Sequence, residues 1–196
     1  HSFPTRRSSD LAQPVLGMET VFTAKRQSPR NLKQNYFGKI DLINSLAISG
    51  KNQIKMFVVN HKPLKQGDKH EIIVKISTPG CSVSTLSATM SYLDIGTPGC
   101  TTECLPNNID LYIERIYPKS LEVVKKFFPN DRTSGRDRVN NNERVQVTNV
   151  RNNQTYRITV EAENMAVEEG RHYSLAMTGC FMVTTDGSAT TPSGEL

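Results

Sequence analysis

Asp94, Asn107, Asn108 and Asp110 carry side-chain oxygens and lie close together around one loop. Hard cations such as calcium take about six to eight oxygen ligands, so this set is the chain's candidate calcium site. The same residue types at strand ends also hydrogen-bond the backbone of turns, which is the competing role. Arg132, Arg136 and Arg138 form a second cluster, in the polar stretch FFPNDRTSGRDRVNNN. Their chemistry suits clamping an anionic partner, or simply facing water. His70-Glu71 begins like a zinc-protease signature, but Val74 stands where the second histidine is needed, and a strand would point the ligands apart. His61, His70 and His172 are expected at exposed or strand-end positions. The Gly-x-Ser-x-Gly nucleophile motif does not occur. No catalytic, cofactor-binding or metal-binding residue is therefore assigned.

The four cysteines, Cys81, Cys100, Cys104 and Cys180, are even in number and contain no CxxC pair. Zinc prefers closely spaced paired ligands, so disulfides are the expected state, with free buried thiols as the alternative. Cys100 with Cys104, and Cys81 with Cys180, is the pairing put forward among the three that four cysteines allow. Asn153-Gln154-Thr155 is an N-glycosylation sequon at a turn.

The elements that must position these residues read as strands. Val145 and Val147, then Tyr156, Ile158, Val160 and Ala162, then Tyr173, Leu175 and Met177 recur with period two, which places each set on one face. NVRNNQ and ENMAVEEG between them hold the Asn and Gly that turns require. LSATMSYLD sets Leu86, Ala88, Met90 and Tyr92 against Ser87, Thr89 and Ser91, and Ile109, Leu111 and Ile113 alternate in the same way. Earlier, Ile54, Met56 and Val58 mark one strand and Ile72, Val74 and Ile76 another, joined by KPLKQGDK in what reads as a hairpin. A further strand is expected within SLEVVKK. The sum is an all-β chain of about eight strands, a two-sheet antiparallel β-sandwich of jelly-roll type.

The chain has 196 residues, no tryptophan and a net charge of +5. That mild basic balance, without interleaved aromatics, gives no reason to expect a nucleic-acid partner. No run of about 18 apolar residues exists to form a membrane-spanning helix, and no membrane partner is expected. Residues 1–11, HSFPTRRSSDL, resemble the translation of a sequencing-library adapter and stand apart from the fold. Residues 12–50 read as a linker or the tail of a truncated upstream domain, with a short helical turn near NYFGKIDLINSLAIS. Residues 51–183 are the expected sandwich, and 184–196 a disordered tail of small residues.

Several ordered motifs resemble the β-sandwich that follows the catalytic domain in subtilisin-like serine proteases. They are Phe37, Gly38, Lys39, Ile40, Asp41 and Leu42 at the domain junction; Pro63, Leu64, Gly67, Asp68 and His70 between the first two strands; and Asp94 with Thr97, Pro98 and Gly99. Leu105 to Leu111 stands where the family has Leu-Val-Asn-Asp-Leu-Asp-Leu, with Pro106 for Val and Asn108 for the first Asp. Asn141, Asn142 and Glu143 match its Asn-rich approach, and Ser174, Leu175 and Gly179 its closing element. The resemblance implies a non-catalytic accessory domain of a secreted endopeptidase. Its partners would be its own catalytic domain and, through the parent, peptide or protein substrates. The Gly-Thr-Ser-x-Ala context of the family's nucleophile is absent, so no catalytic residue carries over. The competing reading is a free-standing jelly-roll module that binds glycans or serves a structural surface role. Sugar-binding modules present aromatic platforms, whereas Tyr92, Tyr156 and Tyr173 fall with the inward apolar set.

Overall fold

The computed structural model describes residues 46–48, 53–81, 83–95, 105–130 and 135–187. The helical turn expected near residues 38–46, Arg132, and the proposed Cys100–Cys104 bridge lie outside the described residues, except that Leu46 is a bend. Among the described residues nine strands follow in order: β1 Lys55–Leu64, β2 Lys69–Ile76, β3 Thr85–Tyr92, β4 Asn107–Ile116, β5 Val123–Phe127, β6 Asn142–Thr148, β7 Thr155–Met165, β8 Arg171–Gly179 and β9 Phe181–Gly187. They form a four-stranded sheet, β1-β8-β3-β6, and a five-stranded sheet, β5-β4-β7-β2-β9, antiparallel throughout.

The pairings are nested: β1 with β8, β2 with β7, β3 with β6 and β4 with β5. One long hairpin, with its tip at β4–β5, has been wrapped so that successive arms fall alternately in the two sheets, which is the jelly-roll pattern. The expected β1–β2 hairpin is therefore corrected: these strands are neighbours in sequence but belong to opposite sheets. Their connection is tight all the same. Asp68 N donates to Lys65 O at 2.9 Å, and Gly67 takes the left-handed conformation that such a turn needs.

Between the sheets lies a continuous core that includes Leu86, Met90, Ile158 and Leu175, together with Ile72, Val74, Leu111 and Tyr173. Strand β1 enters it with the opposite face to the one expected. Met56 and Val58 are 41% and 54% exposed, and Phe57 and Val59 pack inward. Both parities of IKMFVVNH are apolar, so alternation alone does not choose between them. A bulge between Val59 and Lys62, with His61 at φ 53°, then shifts the parity, so that Lys62 and Leu64 follow Val59 on the inner side. The order also extends past residue 183, because Phe181–Gly187 pairs along β2 as an added edge strand.

At the start of β8, Gly170 sits at φ +82°, and a Cβ there would run into the Leu64 carbonyl. Gly170→Ala is expected to lower stability by more than about 1 kcal/mol, because backbone blocks backbone and neither can yield, and a thermal melt reads the loss.

Candidate functional site

The chemistry-bearing side chains gather at two places, the outer face of the β4–β7 pair and the open end of the sandwich beside it. In β4 the inward residues are Ile109, Leu111 and Ile113, so alternation sends Asn108, Asp110, Tyr112 and Glu114 to the outer face. The register sets Asp110 beside Glu161, Tyr112 beside Thr159 and Glu114 beside Arg157. Asp110 is wholly buried and Glu114 nearly so, even though both sit on the outside of the sheet.

The loop before β6 covers Asp110, and Arg157 and Lys126 flank Glu114. Arg136 reaches across with Nη2 at 2.9 Å from Glu161 Oε2 and Nη1 at 2.7 Å from Glu163 Oε1 and 3.6 Å from Asp110 Oδ2. Arg138 lies 3.6 Å from Glu163. The remaining charges are paired in turn: Lys69 with Glu161 at 3.0 Å, and Arg157 with Glu114 at 2.6 Å. Lys126 lies 3.5 Å from Glu114 and 3.4 Å from the centre of the Tyr112 ring. Arg136 and Arg138 thus face carboxylates of their own chain. Burial works against the Arg136 charge, but the bond to Glu163 and the fields of Asp110 and Glu161 outweigh it and raise its pKa.

Asp110 is the strained member of this belt. Burial above all, with Glu163 and Glu161 adding to it and Arg136 opposing, pushes its carboxyl up to about 7. An unfolded Asp titrates near 3.9, so between about pH 4 and 7 the folded protein holds a proton that the unfolded chain has released. Stability contributed by this group falls as pH rises through that window. Asp110→Asn is expected to remove the slope and to gain on the parent by about 1–3 kcal/mol on going from pH 4.5 to pH 8, as read by urea unfolding at both values.

The four candidate calcium ligands do not converge. Asp94 accepts from Asn107 N at 3.1 Å, Asn107 Nδ2 at 2.6 Å and Ile95 N at 2.8 Å. Asn107 Oδ1 in turn accepts from Ala166 N and Val167 N. These two residues organise turns at the end of the sandwich, whereas Asn108 Nδ2 donates to Asp110 Oδ2 at 2.8 Å on the outer face. Strand alternation splits the set between two sides of β4. Among the described residues no group of three or more His, Cys, Asp or Glu is placed to hold a metal ion.

The stretch from Arg136 to Glu143 closes the seam between the sheets. Asp137 accepts from Val139 N, Asn140 N and the side-chain amides of Asn130 and Asn140, which fixes the loop. Asn141 Nδ2 donates to Tyr92 O at 2.9 Å. Glu143 faces inward from β6 and accepts Leu111 N at 2.6 Å, satisfying an amide on the part of β4 that β5 does not reach. The Tyr92 hydroxyl donates to Asn107 O at 2.8 Å. The Leu105–Leu111 and Asn141–Glu143 motifs, distant in sequence, therefore meet in space.

His70 takes the strand-end position expected of it, but not an exposed one. It stands near the start of β2 but is 1% exposed and lies between the sheets. Its Nδ1 meets the Tyr173 hydroxyl of the opposite sheet, and Nε2 lies 2.6 Å from Asp186 Oδ1 in β9. Burial first, then the nearby Lys62 charge, hold its pKa down against the pull of Asp186. The signal was present: His70 continues the parity of Ile72, Val74 and Ile76. His61 and His172 behave as expected, stacked on the surface with ring centres 4.1 Å apart. Cys81 and Cys180 form a disulfide, as put forward from the sequence.

Comparison with family models and with curated proteins gave no match. Among solved structures, the crystal structure of GEBA250068378 from Sulfurospirillum deleyianum is similar over 63% of this chain and 96% of that one. The identity is 9% and the TM-score 0.36, a likeness too slight to carry any argument about this chain.

Proposed function

We propose that this sandwich is a non-catalytic accessory domain of a secreted subtilisin-like serine endopeptidase, which packs on the catalytic domain and supports its folding and persistence. The observation that carries this reading is the asymmetry of the two outer faces. The five-stranded sheet presents the charged belt around Arg136, whose charges are already matched. The four-stranded sheet presents mostly small, uncharged residues, Ser87, Ser174 and Thr178 among them, beside the exposed Met56 and Val58 of β1, with Arg144 on the β6 side donating from Nε to Ser87 Oγ at 3.4 Å. A flat face of that composition suits packing against another body. The resemblance motifs support the same reading, and the disulfide suits an oxidising, secretory compartment.

Two measurements test it. Sequencing the locus upstream should reveal, in frame, a Gly-Thr-Ser nucleophile segment, and in the recombinant parent Met56→Glu with Val58→Glu should cut the yield of active protease several-fold. The isolated chain carrying both substitutions should melt where the unsubstituted chain does. Inhibitor-sensitive hydrolysis of a generic peptide substrate by the isolated chain, or an unrelated upstream sequence, would overturn the proposal.

A further inference from the structure

The end of the sandwich where β4, β6 and β7 meet holds a groove of about 520 Å³, floored by Phe127 and Tyr156 and walled by Arg115, Lys125, Arg151 and Gln146. Arg115 follows Glu114 in β4, so alternation turns it away from the charged belt and into the mouth between the sheets. Lys125 lies over the Phe127 ring at 5.1 Å. On the outer face Arg136, Arg157, Lys69 and Lys126 are each matched by a carboxylate. Among the described residues, by contrast, Arg115, Lys125 and Arg151 in the groove have no ion pair and no acidic side chain lines the wall. Three unmatched cations converging on one concavity call for an anionic ligand.

The backbone narrows the class of ligand. β5 and β6 are the outermost strands of their sheets, and the groove lies between them. Arg144 spends its outward N–H and C=O on Asn130. With period two, Gln146 and Thr148 point the same groups along the same free edge. An extended peptide can use such an edge for main-chain hydrogen bonds, and its side chains on one face then recur every second residue. The aromatic floor is not a sugar platform, since Tyr156 is 2% exposed and its ring is covered.

We infer that this groove binds an extended acidic peptide segment, with the backbone pairing along the edge of β6 and alternate carboxylates meeting Arg115, Lys125 and Arg151. The inference is independent of any neighbouring domain.

Fluorescence anisotropy on the full chain tests it with a labelled decapeptide of alternating Glu and Thr, against the Gln-Thr decapeptide. The acidic peptide should bind at least tenfold more tightly than the neutral one, and weaken as sodium chloride is raised. Arg115→Gln with Arg151→Gln should cost at least a further tenfold at an unchanged melting temperature, and Lys125→Gln, at an exposed position, should weaken binding without risk to the fold. No binding, equal binding of both peptides, or binding insensitive to these substitutions would overturn the inference. So would preference for a sulfated hexasaccharide over the acidic peptide. If the double variant does not fold, the comparison of peptides on the unsubstituted chain still decides.

Discussion

Replacing both cysteines, as Cys81→Ser with Cys180→Ser, should cost the fold about 4–5 kcal/mol, because the cross-link closes a loop of roughly 100 residues in the unfolded chain. Its place in the topology explains why so much of the chain is enclosed. Cys81 follows β2 in the first half of the nested hairpin, and Cys180 lies between β8 and β9 in the second half. The bond therefore ties the two arms near their open ends and captures everything from β3 to β8. Both cysteines lie on connections that pass from one sheet to the other, β2 to β3 and β8 to β9. A backbone hydrogen bond from Ser77 N to Cys180 O at 2.9 Å sets the two segments side by side already. The bond therefore acts mainly by restricting the unfolded chain. A drop of about 10–20 °C in melting temperature is expected for the double variant. The parent in reducing agent should fall to the same value, and the variant should be indifferent to reductant. A double variant melting within about 3 °C of the parent would show that the cross-link contributes little.

Several strands were legible in the sequence because they are half-buried with one clearly apolar parity. LSATMSY is the clearest instance: Leu86, Ala88, Met90 and Tyr92 all lie in the core. The partners were not legible. In a nested jelly roll only β4 and β5 are both adjacent in sequence and paired, so the local hairpin rule misleads at β1–β2. Strand β1 failed for a different reason. Ile54, Met56 and Val58 compete with Phe57 and Val59 on equal terms, and the bulge at His61 breaks any parity carried across it. The candidate site was half visible. The types of Asp94, Asn107, Asn108 and Asp110 drew notice, but the turn that engages the first two and the outward step that separates the last two depend on register. Arg136 was picked out for its charge, yet its partners Glu161 and Glu163 lie in β7 and could be found only through the fold. Asp186 sat in a small-residue tail with no pattern to mark it, and only its pairing along β2 brings it to His70.

His70→Ala should destabilise the protein by about 3–5 kcal/mol, well beyond what the loss of a surface histidine would do. A neutral imidazole satisfies both neighbours in a single tautomer: Nε2–H donates to Asp186, and Nδ1 accepts the Tyr173 hydroxyl proton. Removing the ring leaves a cavity between the sheets and strands a hydroxyl on a tyrosine that is 1% exposed. An orphaned buried hydroxyl alone costs about 1–3 kcal/mol. Adding Tyr173→Phe removes the orphan, so the double variant should be less damaged than the sum of the two single ones, by about 1 kcal/mol or more. The titration of the same group supplies an independent check. Burial and the Lys62 charge lower the His70 pKa in the folded state despite Asp186, so protons bind more readily to the unfolded chain, whose histidine titrates near 6.5. Stability from this group is then complete above about pH 6.5 and drains away as the pH falls through that value toward the lower folded pKa. The parent should lose stability over that interval in urea melts, and His70→Ala should lose correspondingly less. Additive costs in the double variant, or the same acid slope with and without His70, would mean that the ring is only a space-filler between the sheets and no hinge of their polar contact.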